Sequence, residues 1–328
     1  MNVLTLKILG RKIIGDVNFG YIVSKIKTPK FLAKYYIKGS SVASNKGTII
    51  IYMADGHLHH GGLADRLRGM VSLFHYASIY NKQYRINFLS PFSLDLFLEP
   101  NLYDWKISPN DISYNSECSI PLCIPNSLKK QKELADRLLR NKEKYKQVHV
   151  YTNMAYDFEK FGYYFNRLFK PTARLQELLD FNVKKIGGNY ISVTFRFQQL
   201  LGDFKEGNFP ILSDLEQKEL IEKSLQIIPK IKAKHKDVNK ILVTADSIRF
   251  LDLVRSHIED AYTIPGEIAH IDFTQENDIM YIKSFVDFFM ISRAEKIYLA
   301  SSGLMYSESG FAMTASLINN VPYEKVEY

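Results

Sequence analysis

Cysteine is scarce in this chain, whose 328 residues include only Cys118 and Cys123. Two cysteines cannot form a disulfide framework in a chain of this size, and their spacing fits no metal-binding motif. Long hydrophobic runs are also missing, so no transmembrane helix is predicted. The segment 1–14 lacks the apolar core and the small-residue cleavage site of a signal peptide. Together these absences predict a cytoplasmic protein.

Acidic residues are nearly absent from the first 47 residues, where Asp16 is the only one. The whole chain has 43 basic and 35 acidic residues, and its net charge of +8 favours anionic partners such as nucleotides, nucleic acid or acidic lipids. We expect the N-terminal stretch to be a solvated arm or to make peripheral contact with an anionic membrane at the inner face of the plasma membrane. No nucleic acid partner is expected, since the lysines are dispersed and no nucleic-acid-binding motif occurs.

What the chain does contain is a regular alternation of apolar strands with helices. Its 46% apolar and 24% charged residues are typical of a globular protein, and its length predicts two domains. The sequence Gly187-Gly188-Asn189 marks the predicted boundary, which gives domains over residues 1–186 and 187–328. Strands and helices that alternate at this spacing predict parallel, doubly wound sheets, whose ligands bind at the carboxyl ends of the strands.

The loop after the first clear strand, 48–52, has the composition of a functional loop. Residues 55–65 contain three histidines, two aspartates and three glycines, and the predicted helix 64–80 follows. The N–H groups at the start of that helix, with Gly62, Arg66 and Arg68, predict an anion-binding site for phosphate or carboxylate. The alternative is that Gly61 and Gly62 only turn the chain, while the arginines cap the helix or pair with nearby acids. The H-x-H-H spacing matches no zinc motif, so we predict no metal and expect one histidine to contact a sugar or nucleotide.

Polar residues also follow the predicted strands of the second half. Arg196 ends one strand, Asp246 and Ser247 follow the next, and Ser301 and Ser302 follow the last. Each of these positions also has a plainer interpretation. Arg196 would serve equally well as an ion-pair partner, and the aspartate and serines as helix caps.

Four segments carry a resemblance to a known family: 60–69 (HGGLADRLRG), 191–197 (ISVTFRF), 241–247 (ILVTADS) and 287–302 (DFFMISRAEKIYLASS). In order and spacing they resemble the fucosyltransferase clan of GT-B glycosyltransferases. That clan includes α-1,6, nodulation-factor, plant xyloglucan and protein O-fucosyltransferases. The resemblance implies an α/β fold of GT-B type, with two Rossmann-like domains that face a cleft.

The resemblance also implies an activity. It is the inverting, metal-independent transfer of L-fucose from GDP-fucose to a saccharide hydroxyl, with no cofactor beyond the donor. We picture a bacterial surface polysaccharide or a lipid-linked glycan as the acceptor. A glycosyltransferase that uses another nucleotide sugar is the alternative, and a basic nucleic-acid-binding protein is a more distant one.

Residue roles are implied by the same resemblance. Arg196 would bind the β-phosphate and stabilise the departing diphosphate. Asp287 would read guanine, although it could instead pair with Lys283 one helical turn away. The remaining implied contacts complete the phosphate cradle or border the nucleotide pocket: Ser301, Ser302, Gly303, Asp246 and Ser247.

Departures from the family pattern occur next to Arg196. Thr194 stands where many members have histidine, and Phe197 stands where many have a second arginine. The α-1,6 enzymes have a carboxylate shortly after the arginine as general base, and no carboxylate of this chain stands at the same distance from Arg196. An inverting transfer needs either a group that accepts the proton of the acceptor hydroxyl or a mechanism loose enough to proceed without one. The candidates are Asp203 first, Glu206 in the same loop, and Asp55 or His57 across the expected cleft.

Overall fold

The computed structural model describes residues 3–125, 130–154, 156–204, 209–268 and 278–328. The chain divides into two compact units, Met1–Lys170 and Pro171–Tyr328. Both are layered α/β structures with parallel sheets. The α/β class predicted from the sequence is therefore confirmed.

The first unit contains five helices and six strands within its described residues. The helices are α1 (Val3–Ile14), α2 (Asp16–Tyr35), α3 (Leu63–Ile79), α4 (Gln131–Leu139) and α5 (Phe161–Leu168). The strands are β1 (Ile49–Ala54), β2 (Gln83–Phe88), β3 (Leu98–Pro100), β4 (Ser119–Ile124), β5 (Gln147–Thr152) and β6 (Phe169–Pro171). Four of the strands form a parallel sheet in the order β2-β1-β5-β4, and β3 pairs with β6.

Strand β1 lies inside this sheet because its sequence, IIIYMA, is apolar throughout, and all six residues are buried. Helix α3 packs closely against the sheet at Gly69. A Cβ atom there would lie 2.2 Å from the carbonyl oxygen of Thr152 at the end of β5. Glycine at this position therefore sets the distance between the helix and the sheet.

Three expectations for this half need correction. The basic N-terminal stretch is not a solvated arm, because α2 buries Val17 and Phe31 while it packs on β4 and α4. The sequence of segment 94–105 predicts a helix that stops at Glu99-Pro100-Asn101, but the structure has only a 3₁₀ turn before β3. The many lysines and sparse apolar positions of residues 128–146 predict a charged, solvated surface helix. The helix found is the shorter α4, and it is not fully solvated because Leu134 and Leu138 are buried. Residues 126–129 lie outside the described residues.

The second unit contains five helices and five strands within its described residues. The helices are α6 (Ala173–Ile186), α7 (Asp214–Lys232), α8 (Ile248–His257), α9 (Ile282–Ser292) and α10 (Gly310–Ile318). The strands are β7 (Tyr190–Phe195), β8 (Lys240–Ala245), β9 (Ala261–Tyr262), β10 (Ile297–Ser301) and β11 (Tyr323–Glu327). All five strands are parallel, in the order β11-β10-β7-β8-β9, and β11 was not predicted.

This strand order is that of a Rossmann-like sheet. The chain builds outward from β7 in one direction through β8 and β9, then returns to the other side of β7 with β10 and β11. The order reverses between β7 and β10, and in open α/β sheets a crevice for ligands opens at that point. The loops after β7 and β10 are therefore the first place to look for a binding site.

The glycine pair at the predicted domain boundary, Gly187-Gly188, lies at the end of a helix. Gly187 has a φ of 71° and forms the left-handed C-cap of α6, and Thr172 caps the other end. Helix α6 packs on α9, so it belongs with the second unit. The division at Lys170–Pro171 accordingly precedes α6, whereas the predicted boundary at 186/187 follows it.

Candidate functional site

The strand register of the second unit aligns three of the predicted site segments. Phe195 of β7 pairs with Ala245 of β8 on one side and with Ala300 of β10 on the other. The next residue of each strand in this direction is Arg196, Asp246 or Ser301. The three predicted residues therefore lie side by side at the carboxyl edge of the sheet.

Asp246 holds the turn that carries Arg196. Arg196 Nη1 donates to Asp246 Oδ2 at 2.6 Å, and the backbone N–H groups of Phe197 and Gln198 donate to the same carboxylate at 2.8 Å each. Gln198 has a φ of 55°, which is uncommon for a residue with a side chain. The carboxylate stabilises this tight turn and fixes the guanidinium at the strand end.

The Arg196–Asp246 pair is only partly shielded from solvent. Asp246 is buried, whereas the arginine side chain retains 21% of its exposure. Burial raises the pKa of the Asp246 carboxyl, while Arg196 and the two backbone N–H groups act in the opposite direction. The guanidinium also lies over the ring of Phe204, 5.3 Å from its centroid. Arg196 is thus an oriented cation with access to solvent.

Thr194 makes a structural contact in this chain. It stands at the position where many members of the fucosyltransferase clan have histidine. Its hydroxyl lies 2.9 Å from the Thr244 hydroxyl on the neighbouring strand, and both residues are buried. The pair ties β7 to β8 directly beneath Arg196 and Asp246.

Asp203 and Ser247 lie together at the start of α8. Asp203 Oδ2 accepts hydrogen bonds from the Ser247 hydroxyl at 2.8 Å and from the Arg249 backbone N–H at 3.0 Å. Ser247 is the N-cap of α8, and its hydroxyl accepts from the Phe250 N–H at 3.1 Å. Both residues therefore cap the helix, and this oxygen of Asp203 is engaged. Glu206 lies outside the described residues.

The loop after β10 does not cap a helix directly. Helix α10 begins only at Gly310, so Ser301, Ser302 and Gly303 precede a separate turn. Gly303 has a φ of 55°, with no atom within 4 Å of its added Cβ position. The loop is joined to the arginine turn because the Tyr306 N–H donates to the Arg196 carbonyl at 3.1 Å. The geometry thus sets the serine loop beside Arg196.

Asp287 is paired within its own helix. Lys283 Nζ lies 2.9 Å from Asp287 Oδ1 and 2.7 Å from Oδ2, and both residues are buried. Burial raises the pKa of the Asp287 carboxyl, while the lysine lowers it. The simpler of the two sequence interpretations, an i, i+4 ion pair, is therefore the arrangement found.

In the first unit, the loop after β1 contains a network around Asp55. Its Oδ2 accepts hydrogen bonds from the hydroxyls of Tyr114 at 2.7 Å and Tyr151 at 2.9 Å. His57 Nδ1 lies 2.9 Å from the same oxygen, and the His57 backbone N–H donates to Oδ1 at 3.1 Å. The His57 ring stacks on Tyr35, with centroids 4.0 Å apart. The imidazole is thus held between a carboxylate and an aromatic ring, with 29% of its side chain exposed.

A fully buried histidine, His149, lies next to this network. His149 Nδ1 lies 2.7 Å from the Tyr36 hydroxyl, and Nε2 lies 2.9 Å from Gln147 Oε1. Burial lowers the pKa of His149 to about 3 and raises the pKa of Tyr36 and Tyr114 above the ordinary value. These side chains are therefore neutral donors and acceptors at neutral pH.

The two arginines of helix α3 are both engaged within the first unit. Arg66 is buried, and it donates to the Gly61 and Ser90 carbonyls at 2.9 Å each. Arg68 is hydrogen-bonded to Asp65. Gly62 is the N-cap of α3. The predicted anion site thus has its helix N-terminus in place, while its arginines brace the loop.

His60 is also structural in its surroundings. Its Nδ1 lies 2.9 Å from Asn153 Oδ1, and burial lowers its pKa. Among the described residues, no group of three or more His, Cys, Asp or Glu side chains is arranged to hold a metal ion.

Neither a protein family model nor a curated protein matches this sequence. Solved structures do match it. A NodZ alpha-1,6-fucosyltransferase soaked with GDP-fucose is 16% identical, with a TM-score of 0.58 over 87% of this chain and 95% of that one. Fucosyltransferase NodZ from Bradyrhizobium is 16% identical, with a TM-score of 0.56 over 87% and 96%. A mutant of Arabidopsis thaliana FUT1 in complex with GDP is 12% identical, with a TM-score of 0.52 over 92% and 74%.

The chain has the GT-B fold of the fucosyltransferases. The similarity covers most of the chain, and it confirms the family resemblance predicted from the four sequence segments. It agrees with the Rossmann-like strand order of the second unit.

Several residues of the Asp55 network in the first unit and of the Arg196 turn in the second unit were not singled out from the sequence. The sequence of residues 148–151 predicts a strand that ends at Tyr151, so the position of Tyr151 at a carboxyl strand edge was a usable signal. Tyr35 and Tyr114 contact the Asp55 network, and Phe204 contacts Arg196. None of the three carried such a signal, because they lie in a helix and in two loops without a periodic pattern that would predict these contacts.

Proposed function

We propose that this protein is an inverting glycosyltransferase that transfers L-fucose from GDP-fucose to a saccharide hydroxyl. The observation that carries the proposal is the oriented Arg196, held by Asp246 beside the Ser301–Gly303 loop at the sheet's switch point. The fold agrees with it, because the similar NodZ structure was soaked with GDP-fucose and the similar FUT1 mutant is in complex with GDP.

In this proposal Arg196 stabilises the departing diphosphate. Transfer of the sugar leaves negative charge on the β-phosphate, and a fixed guanidinium stabilises that charge in the transition state. Arginine suits the task because it stays charged and can donate to two oxygens at once. Asp246 holds the side chain in position before the donor arrives, so little reorganisation is needed during the reaction.

The serine loop and α9 supply the remaining donor contacts of the proposal. Ser301, Ser302 and the backbone N–H of Gly303 would bind phosphate oxygens. Asp287 would accept hydrogen bonds from guanine, and Lys283 would then have to share this carboxylate with the base. A donor with a different nucleotide is the alternative, and it would bind without using Asp287 in this way.

We propose His57 as the general base. Its Nδ1 lies next to Asp55 Oδ2, and Asp55 is itself held by two tyrosine hydroxyls. A carboxylate this close stabilises the imidazolium that forms after proton transfer. Asp203 is the weaker candidate, because its Oδ2 caps helix α8.

Calorimetric titration with GDP and GDP-fucose tests the donor site. We expect GDP to bind, and Arg196→Ala to weaken binding by roughly 10- to 100-fold, as removal of a charge-assisted hydrogen bond does. Arg255→Ala is the matched control, since Arg255 is an exposed arginine of α8 paired with Asp252, and it should bind GDP like the parent. A folded parent that binds no GDP would end the proposal, and tighter binding of UDP, CDP or dTDP would establish the alternative donor.

Turnover measurements test the base. His57→Gln should lower kcat by about 100-fold or more while GDP affinity stays within about twofold of the parent. His59→Gln is the control in the same loop, where the side chain is exposed, and should retain activity. If both variants turn over like the parent, His57 is not the base.

The proposed acceptor is a bacterial surface polysaccharide or lipid-linked glycan, and the proposed compartment is the cytoplasm. We further propose that the reaction needs no metal, with Arg196 supplying the positive charge at the diphosphate. Transfer should then proceed unchanged in a chelator. The product should be an α-fucoside by NMR, because inversion of a β-linked donor gives that anomer.

A further inference from the structure

Helices α1 and α2 carry apolar side chains on the outside of the first unit. Leu9, Ile13 and Ile14 of α1 are 44%, 70% and 39% exposed, and Ile22 and Ile26 of α2 are 46% and 55% exposed. Single exposed apolar residues are ordinary on a protein surface. Five exposed apolar side chains within 18 residues of two consecutive, mutually packed helices are more than isolated exposure accounts for, and they indicate a partner.

The exposed isoleucines of α2 lie opposite the face that holds the helix on the unit. Val17, Ser24 and Phe31 are buried against β4 and α4. Ile22 and Ile26 are one turn apart on the other side, so they do not take part in this packing. Their exposure is therefore a property of the outward face, and the stability of the unit does not require them to be apolar.

The same two helices are strongly basic. The first 47 residues contain nine lysines and arginines and a single acid, Asp16, which is 3.6 Å from Arg11. Lys25 and Lys30 are exposed on either side of the isoleucine stripe. Long lysine side chains beside an apolar stripe are typical of helices that lie in a membrane interface, where the amines reach lipid headgroups and the apolar groups insert.

A basic groove continues this surface onto α4. It encloses about 650 Å³ and is lined by Lys130, Lys132, Glu133, Asp136, Arg137, Arg140 and Asn141. Arg137 joins the groove to α2, because it donates to Asn18 Oδ1 at 2.7 Å and lies 3.9 Å from the centroid of the Tyr21 ring. Four basic and two acidic side chains leave the groove positive, which suits an anionic headgroup.

We propose that the outward face of α1 and α2, with the adjoining groove of α4, docks on the surface of an anionic lipid membrane. Among the described residues no helix is long and apolar enough to cross a bilayer, so the contact would be peripheral. Charge argues against a second copy as the occupant. A two-fold dimer through this face would bring two basic surfaces together.

Vesicle co-sedimentation of the full chain tests the proposal. The probes are phosphatidylcholine vesicles with and without about one third phosphatidylglycerol. We expect binding only to the anionic vesicles, with at least a tenfold loss when salt rises from about 0.1 M to about 1 M, because the Debye length shrinks from about 10 Å to 3 Å.

Two variants separate the apolar and the charged contributions. Ile22→Asn combined with Ile26→Asn should weaken vesicle binding by about tenfold or more, and Lys25→Glu combined with Lys30→Glu should do the same. Leu215→Asn is the matched control, since Leu215 is 68% exposed on α7 in the second unit, and its binding should equal that of the parent. Far-UV circular dichroism of each variant verifies that it is folded.

Three results would overturn the proposal. The first is equal sedimentation with neutral and anionic vesicles, or none with either. The second is a dimer in light scattering that the isoleucine variants convert to a monomer, which would make this face a contact between copies. The third is salt-sensitive binding of an RNA oligonucleotide in place of vesicles.

Discussion

Replacing Asp246 by asparagine should both loosen the second unit and weaken donor binding. The carboxylate accepts three hydrogen bonds: one from Arg196 and two from the N–H groups of Phe197 and Gln198. An asparagine has one acceptor oxygen. Placed at the Oδ2 position, it keeps the bonds from Arg196 and Gln198 and turns its amino group toward the buried N–H of Phe197.

The expected cost follows from that one mismatched contact. A buried N–H without an acceptor costs about 1–3 kcal/mol. Loss of the ion pair adds little because Arg196 is partly exposed, and the neutral amide is cheaper to bury than the carboxylate. We therefore expect a loss of about 1–3 kcal/mol, or roughly 3–9 °C in Tm for a unit of this size.

The assay is thermal and urea unfolding followed by far-UV circular dichroism, with GDP titration on the same samples. Asp252→Asn is the matched control, because it makes the same chemical change on a 57% exposed side chain of α8. It should cost about 0.5 kcal/mol or less. If Asp246→Asn is as harmless as the control, or binds GDP with the affinity of the parent, Asp246 does not hold Arg196 in the way described.

Two further predictions concern the first unit, whose single tryptophan, Trp105, reports its unfolding by fluorescence. Gly69→Ala should lower the free energy of unfolding by about 1–3 kcal/mol, because the new methyl group meets the Thr152 carbonyl. Gly47→Ala is the control, since its methyl group would enter open space and should change the free energy of unfolding little. Equal effects of the two substitutions would contradict the close approach at Gly69. Burial lowers the pKa of His149 to about 3 in the folded chain, against about 6.5 in the unfolded chain. The contribution of the neutral imidazole to the free energy of unfolding is therefore complete above pH 6.5 and is lost as pH falls toward 3. Between pH 7 and pH 5 the free energy of unfolding should fall by about 2 kcal/mol more in the parent than in His149→Gln. Equal decreases in the two proteins would refute this prediction.

Periodicity along the chain was enough to predict the alternating units and the edge of the sheet where the polar residues gather. Arg196, Asp246 and Ser301 were placed correctly because each directly follows or ends an apolar strand, and parallel strands end at the same edge. This rule depends only on the direction of the chain, so a sequence pattern can supply it.

The partners of these residues could not be predicted in the same way. Asp203 and Ser247 are 44 positions apart in sequence, and their hydrogen bond depends on how the loop after β7 returns to α8. Tyr114 reaches Asp55 from a loop without any periodic pattern. Arg66 had the character of an anion ligand in the sequence. In the structure it donates to the carbonyl of Ser90, and that contact depends on the turn that follows β2.

Under the proposed function, the double use of Asp246 links the folding of the second unit to donor binding. One carboxylate closes a backbone turn and aims the arginine, so a substitution there cannot change reactivity alone. Evolution or design that seeks a different donor would have to begin elsewhere in the second unit, at side chains such as Ser302 that the turn does not depend on. Selection for a stable unit therefore also preserves the arginine's orientation, even in a lineage whose substrates change.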